Sequence, residues 1–438
     1  MRFSPRRSRS GRVSGPCTAT KNPLGPMSNR RILAGLFLGA LTACSTQANP
    51  VPTVEIADSA GVQVVTNRIS EEMSAMAWTL DMEPSLAIGE ISGRPEAMLY
   101  GVSGARRLGD GRIVIANAGT SELRFFDSEG SYLKSAGRQG EGPGEFRELT
   151  RMEVTHLDSV VVFDQPSRRI SLFDHEGNFA RSFAAPSFRD LPTYPVGVFS
   201  DGTFPVRTLT IYPEGDERTG VTRDPIHYLR VDPEGEILNE IGSFPGNEAY
   251  RPSRESGYIV FSLPLLRVTR DAVVGMDLLV GQAHTFEVQI HGSDGAPKRI
   301  VRWADIPDPI TEDDTEKVVA VRLERARDEA QRIEWSAVFR TAKFPDILPA
   351  YGQIIADVRG NLWVEGYQSP DLPRTVEGRS LWKVFSPEGE WLSDVELPSS
   401  FFVTQIGDDF VLGIRRDELG IERVEIHTLR KEGGAAAP

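Results

Sequence analysis

Two short turns recur along this chain, and their recurrence leaves few folds open to it. The first leads into an apolar strand: LGDGRIVIA (108–116), HLDSVVVFD (156–164), FSDGTFPV (199–206), VTRDAVVGMD (268–277), DVRGNLWVEG (357–366) and IGDDFVLGI (406–414). The second joins two further strands: DSEG (127–130), DHEG (174–177), DPEG (232–235), GSDG (292–295) and SPEG (386–389). Asp and Gly at these places supply the side-chain acceptor and the left-handed backbone that tight turns need. Residues 106–146 show one unit whole: strand, turn at Asp110 and Gly111, strand 112–116, loop, strand 122–126, turn 127–130, strand 132–136. A four-stranded unit repeated every few tens of residues is a propeller blade. The expected fold is all-β, a six-bladed β-propeller.

The first turn occurs six times and the second five times, so one blade lacks its last strand. The final third strand, IERVEIHTL (421–429), has nothing after it to pair with, whereas DSAG (58–61) and the strand-like GVQVVTN (61–67) stand near the start. The N-terminal segment is therefore expected to supply the outer strand of the last blade, which closes the ring and removes an open edge. Residues 54–430 form the ring in this reading, and 431–438 a tail.

Residues 137–177, GRQGEGPGEFRELTRMEVTHLDSVVVFDQPSRRISLFDHEG, resemble the NHL repeat, in which a Gly-rich run ending in Pro-Gly-Glu-Phe leads into a D-x-V-x-V-x-D type strand and then an R-I-x-x-F-D strand. As a whole the chain resembles the bacterial lipoproteins described as six-bladed β-propellers, over roughly residues 55 to 430. The resemblance is strongest in the first two blades. It implies a secreted, lipid-anchored propeller.

Residues 1–43 hold eight Lys or Arg and no Asp or Glu. This basic start, the apolar run ILAGLFLGAL (32–41) and the small residues after it read as a secretory signal peptide, too short in its apolar part to span a bilayer. LTAC (41–44) resembles the bacterial lipobox, with Cys44 the lipidated residue, and Ser45 after it points by resemblance to the outer membrane. Met27 opens a leader of ordinary proportions and is a candidate start. The chain's other cysteine, Cys17, lies inside the leader, so the mature chain forms no disulfide of its own. Residues 44–53 make a short tether.

The formal charge of the whole chain is −13, and removal of the leader takes away eight positive charges. No basic block survives to neutralise phosphates, so nucleic acid is excluded as a partner. The expected partners are the membrane, through Cys44, and a periplasmic protein, peptide or glycan.

One segment breaks the β pattern. In residues 311–341, Val319, Leu323, Ala326, Ala330, Ile333 and Ala337 follow 4-3-4-3-4 spacing, and Thr311 precedes Glu312, Asp313 and Asp314 as a cap. This predicts a helical insertion between blades four and five, lying over the channel mouth or a blade side; a ligand lid or a docking helix is the sharper alternative.

Motifs that carry chemistry are missing: there is no G-x-x-x-x-G-K-[ST], no H-E-x-x-H and no G-x-S-x-G, and the six His are dispersed. GRQGEGPGEF lacks the Lys and helix of a phosphate cradle and reads as an inter-blade connection. Asp127, Asp174 and Asp232 cap D-x-x-G turns and lack the spacing of a calcium loop. No cofactor and no metal site is expected.

In a propeller the innermost strands line a central channel where ligands sit. The polar residues nearest the expected inner strands are Arg106, Arg151, Arg267, Tyr351 and Gln353, the candidate ligand-binding set; each also serves equally well as a tie between blades. The favoured reading is a binding or scaffold module. The alternative is an enzyme of the metal-dependent six-bladed lactonase or lyase kind, implied by fold analogy alone.

Overall fold

The computed structural model describes residues 53–68, 78–211, 217–252, 260–369, 371–372, 378–417 and 419–431. The leader and Cys44 lie outside them, as do the tether apart from Thr53 and the tail apart from Lys431. Six sheets follow one another along the chain. Blade one is built from Val102–Arg107, Ile113–Asn117, Glu122–Phe126 and Tyr132–Ala136, and blade two from Arg151–Val154, Val160–Asp164, Arg169–Phe173 and Phe179–Ala184. Blade three uses Leu191–Pro195, Phe204–Thr208, Gly220–Val231 and Ile237–Arg251; blade four uses Arg270–Val274, Asp277–Gly281, Glu287–Gly292 and Pro297–Trp303. Blade five comprises Ile354–Ala356, Leu362–Glu365, Arg379–Phe385 and Trp391–Pro398, and blade six begins with Phe401–Ile406, Phe410–Arg416 and Glu422–Lys431.

The turns that organise the sequence do the expected local work. Asp127 Oδ1 accepts the backbone N–H groups of Glu129 and Ser131, and Asp174 and Asp232 repeat the pattern two and four residues on. Each second strand is apolar because it is covered on both faces: Ile113–Asn117 and Val160–Asp164 are buried throughout. Burial is organised as six layers, one between each pair of neighbouring blades, from Val114 and Phe125 against Val160 and Phe173 round to Leu412 and Ile426 against Ile113 and Phe126. The GRQGEGPGEF run is an inter-blade connection whose Phe146 is fully buried and rests against Phe173, ring centroids 5.7 Å apart.

An N-terminal strand closes the last blade, but not through GVQVVTN. The strands that complete blade six are Trp78–Leu80 and Leu86–Ile88, both antiparallel to Glu422–Lys431. Leu80 joins the layer between blades five and six, and Ile88 joins the layer between blades six and one, so this short stretch seals both flanks of the last blade. GVQVVTN forms instead the inner arm of a hairpin, Thr53–Ser59 with Val62–Arg68, whose second arm runs parallel to Pro297–Trp303 and widens blade four to six strands. Its alternating pattern identifies a strand without identifying the partner. Buried Asn67 fixes the partner: its Nδ2 donates to the carbonyls of Arg302 (3.2 Å) and Gly389 (2.8 Å), and its Oδ1 accepts the N–H of Trp391 (2.8 Å).

The insertion between blades four and five is helical, as two helices rather than one: α1, Glu312–Glu324, and α2, Glu329–Phe339. Thr311 and Asp314 form a capping box on α1, and Asp328 opens α2 by accepting the Gln331 N–H at 2.8 Å. That second cap explains the break, since an Asp side chain bonded to a backbone N–H starts a new helix. The break also rotates the buried face. Val318 and Val338 are the core residues of the two helices, while Ile333, from the expected stripe, is 62% exposed. Val318 packs with Leu265, Leu348 and Phe344, on the connections leading into blades four and five, and with Tyr367 and Leu372, in the loop between the second and third strands of blade five. Buried Asp371 fastens the end of α1 by accepting Arg322 (2.6 Å) and Arg325 (3.0 Å).

Candidate functional site

The six innermost strands surround a cavity of about 870 Å³. Side chains alternate along them, so that Met152 is buried between blades while Arg151 and Glu153 face the cavity. Close approach of blades three and four at this wall requires glycine at position 197, where a Cβ would stand 2.6 Å from the Val273 side chain.

Four arginines and several carboxylates line the cavity, and most are paired with each other. Arg106 of blade one donates to Glu153 of blade two at 2.5 Å, and Arg151 pairs with the same carboxylate at 2.9 Å while donating to the Val196 carbonyl of blade three at 2.6 Å. Burial pushes the Glu153 carboxyl up, but the two guanidiniums outweigh it and hold the pKa below the ordinary carboxylate value. Arg207 pairs with Asp271 at 3.2 Å, and the Tyr228 hydroxyl donates to the same carboxylate oxygen at 2.9 Å. All of these contacts except Arg151 with Glu153, which share a strand, cross blade boundaries, which makes them clamps between repeats.

Arg270 is different. Its side chain lines the cavity, and among the described residues it makes no hydrogen bond and no ion pair. Burial lowers its pKa, and Glu365 and Asp271 attract it only through space. Glu365 Oε2 accepts the Gln353 N–H at 3.1 Å; burial raises its pKa against the lowering effects of that bond and of Arg270. A guanidinium presents five donors in a fixed fork, so an unpaired one facing a cavity is a ready site for a carboxylate.

The structure divides the five candidate residues. Arg106, Arg151 and Gln353 line the cavity. Gln353 is also a clamp, its Nε2 donating to the Val403 carbonyl of blade six at 2.9 Å. Arg267 and Tyr351 stand outside the cavity wall. Arg267 is spent on Glu248, at 2.9 Å, in the connection between blades three and four. Tyr351 is 1% exposed; its hydroxyl donates to the Glu287 carbonyl (2.8 Å) and accepts the Ala283 N–H (3.1 Å), bracing blade four from blade five.

Arg270 and Asp271 escape the sequence reading because VTRDAVVGMD looks like the other copies of its turn, with Arg-Asp standing where they have Asp-Gly. The turn of blade four lies later, at Gly275, whose φ of +56° belongs to the left-handed region. Arg270–Val274 is therefore the inner strand itself, and Arg267, expected beside that strand's start, lies in a connection. The signal was the Gly-Met-Asp at 275–277, a turn residue two positions before the apolar strand.

Among the described residues, no group of three or more His, Cys, Asp or Glu side chains is placed to hold a metal ion, and no helix is long and apolar enough to cross a membrane.

Residues 99–193, which contain blades one and two, match a family described as 6-bladed beta-propeller. No curated protein matches the sequence at a significant level. Among solved structures, a Bacteroides fragilis protein described as exported is similar at 11% identity and a TM-score of 0.47, over 84% of this chain and 99% of its own. A member of the DUF4221 family from Bacteroides vulgatus is 14% identical with a TM-score of 0.47, over 81% and 99%. A gluconolactonase of Xanthomonas campestris is 11% identical with a TM-score of 0.40, over 80% and 100%. The chain is a six-bladed β-propeller, and its first two blades carry the sequence pattern of that family.

Proposed function

We propose that this propeller is a binding module of the cell envelope, anchored through lipidated Cys44, whose channel holds an anionic ligand on Arg270. The anchor is supported by the basic leader, the apolar run 32–41 and LTAC (41–44). One observation carries the binding reading: three of the four arginines in the cavity wall are paired with carboxylates, Arg106 and Arg151 with Glu153 and Arg207 with Asp271, whereas Arg270 has no such contact among the described residues. Leaving a half-buried guanidinium without a partner costs stability, and an anionic group on a ligand offsets that cost.

The test is a calorimetric titration of the chelator-treated mature protein with benzoate, beside Arg270→Gln. A charge-assisted hydrogen bond contributes roughly 1.5–3 kcal/mol, so the variant should bind about ten- to a hundredfold more weakly. Equal affinity of the two proteins would remove Arg270 from the site.

A further inference from the structure

Two blades round the ring from the cation, the cavity wall carries apolar surface. Phe402, on the innermost strand of blade six, lines the same cavity and is 59% exposed; among the described aromatic residues Tyr100 is also well exposed and most others are buried or half-buried. Half-buried Val154, Val198, Val273 and Ile355 add aliphatic surface from blades two, three, four and five. Arg270 lies on blade four and Phe402 on blade six, with blade five between them contributing Gln353 and Ile355. Gln353 is occupied by the Val403 carbonyl and blade five also brings the Glu365 carboxylate, so this part of the wall offers little to a second anionic group.

We infer that the ligand is an organic monocarboxylate with an apolar body, its carboxylate on Arg270 and its carbon skeleton against Phe402. The inference rests on the anion-binding reading above and deepens it. Its physical basis is a difference in what each end of the cavity gains: a guanidinium recovers its missing acceptor, and an exposed aromatic ring leaves water. A compact, fully hydrated anion gains only the first. A polyanion meets Glu153, Asp271 and Glu365 and is repelled.

The experiment is a titration of the chelator-treated mature protein with acetate, phenylacetate and inorganic phosphate, repeated with Phe402→Ala and with melting temperatures taken on the same samples. The wild type should bind phenylacetate at least about tenfold more tightly than acetate, an effect in keeping with burial of a ring. Phosphate should be the weakest of the three. Phe402→Ala should reduce the preference for phenylacetate severalfold. Equal binding of acetate and phenylacetate, tighter binding of phosphate, or a folded Phe402→Ala that keeps the full preference overturns the apolar-body inference alone. Failure of all three anions to bind the wild type overturns the anion reading on which it rests. Should Phe402→Ala not fold, Phe402→Ser or Phe402→Leu takes its place, and the same preference is read from it.

Discussion

Arg106 donates to Glu153 at 2.5 Å across the boundary between blades one and two, and this one contact decides what kind of residue Arg106 is. It is a clamp, since both side chains are less than a quarter exposed and the partner carboxylate also holds Arg151. Arg106→Ala should therefore lower stability by about 2–3 kcal/mol, because removing one member of a buried ion pair leaves the other charge poorly compensated. Binding of benzoate per folded molecule should persist. A normal melting temperature with lost binding would return Arg106 to the ligand site.

The same carboxylate gives stability a pH dependence. Glu153 has a folded pKa depressed below its ordinary 4.5, so its contribution is fully present above that value and is lost as the pH falls through the depressed one. Melting temperatures of the wild type and Glu153→Gln should converge as the pH is lowered below about 4.5 and stay apart at neutral pH. Parallel curves throughout that range would show that Glu153 is not clamped as a carboxylate.

Ring closure makes a prediction about the other end of the chain. Leu80 and Ile88 are buried in the layers on either side of blade six, so Leu80→Ala and Ile88→Ala should each cost about 2–4 kcal/mol, as buried large-to-small substitutions do. Ile56, on the outer arm of the hairpin and 56% exposed, should tolerate Ala within about 0.5 kcal/mol. Chemical denaturation of the three variants checks this, and a reversed order would place the closing strand back at 54–67.

These two ends show what the sequence made legible. Blade number, the turn positions outside blade four and the existence of a closing N-terminal strand follow from local chemistry, because Asp-Gly turns and apolar second strands are specified within a few residues. Which strand closes the ring is a tertiary matter. GVQVVTN has the stronger alternation, yet Asn67 and its contacts to Gly389 and Trp391, more than 320 positions away, attach it to blade four. The site was read least well for a related reason. An inner strand beginning Arg-Asp imitates the turn that normally follows it, so Arg270 was hidden by its own surroundings while Tyr351, a brace, looked available.

Glu365 predicts how binding responds to pH. Burial raises its pKa above the ordinary 4.5, so on acidification it takes up a proton before an ordinary carboxylate does and relieves the negative charge near Arg270. Benzoate affinity should rise as the pH is lowered from neutrality towards the ordinary carboxylate range, while benzoate itself stays ionised. In Glu365→Gln the affinity should be higher at neutral pH and nearly flat. A wild-type affinity that falls on acidification would contradict the arrangement.

The central claim is that an organic anion sits in the channel on Arg270, and anomalous diffraction tests it most directly. Crystals of the mature protein soaked in 4-bromobenzoate should show one strong bromine peak inside the channel on the Phe402 side, with the carboxylate within hydrogen-bonding distance of Arg270. A bromine peak only on the outer surface of the ring, or a carboxylate bound in the channel away from Arg270, would contradict it.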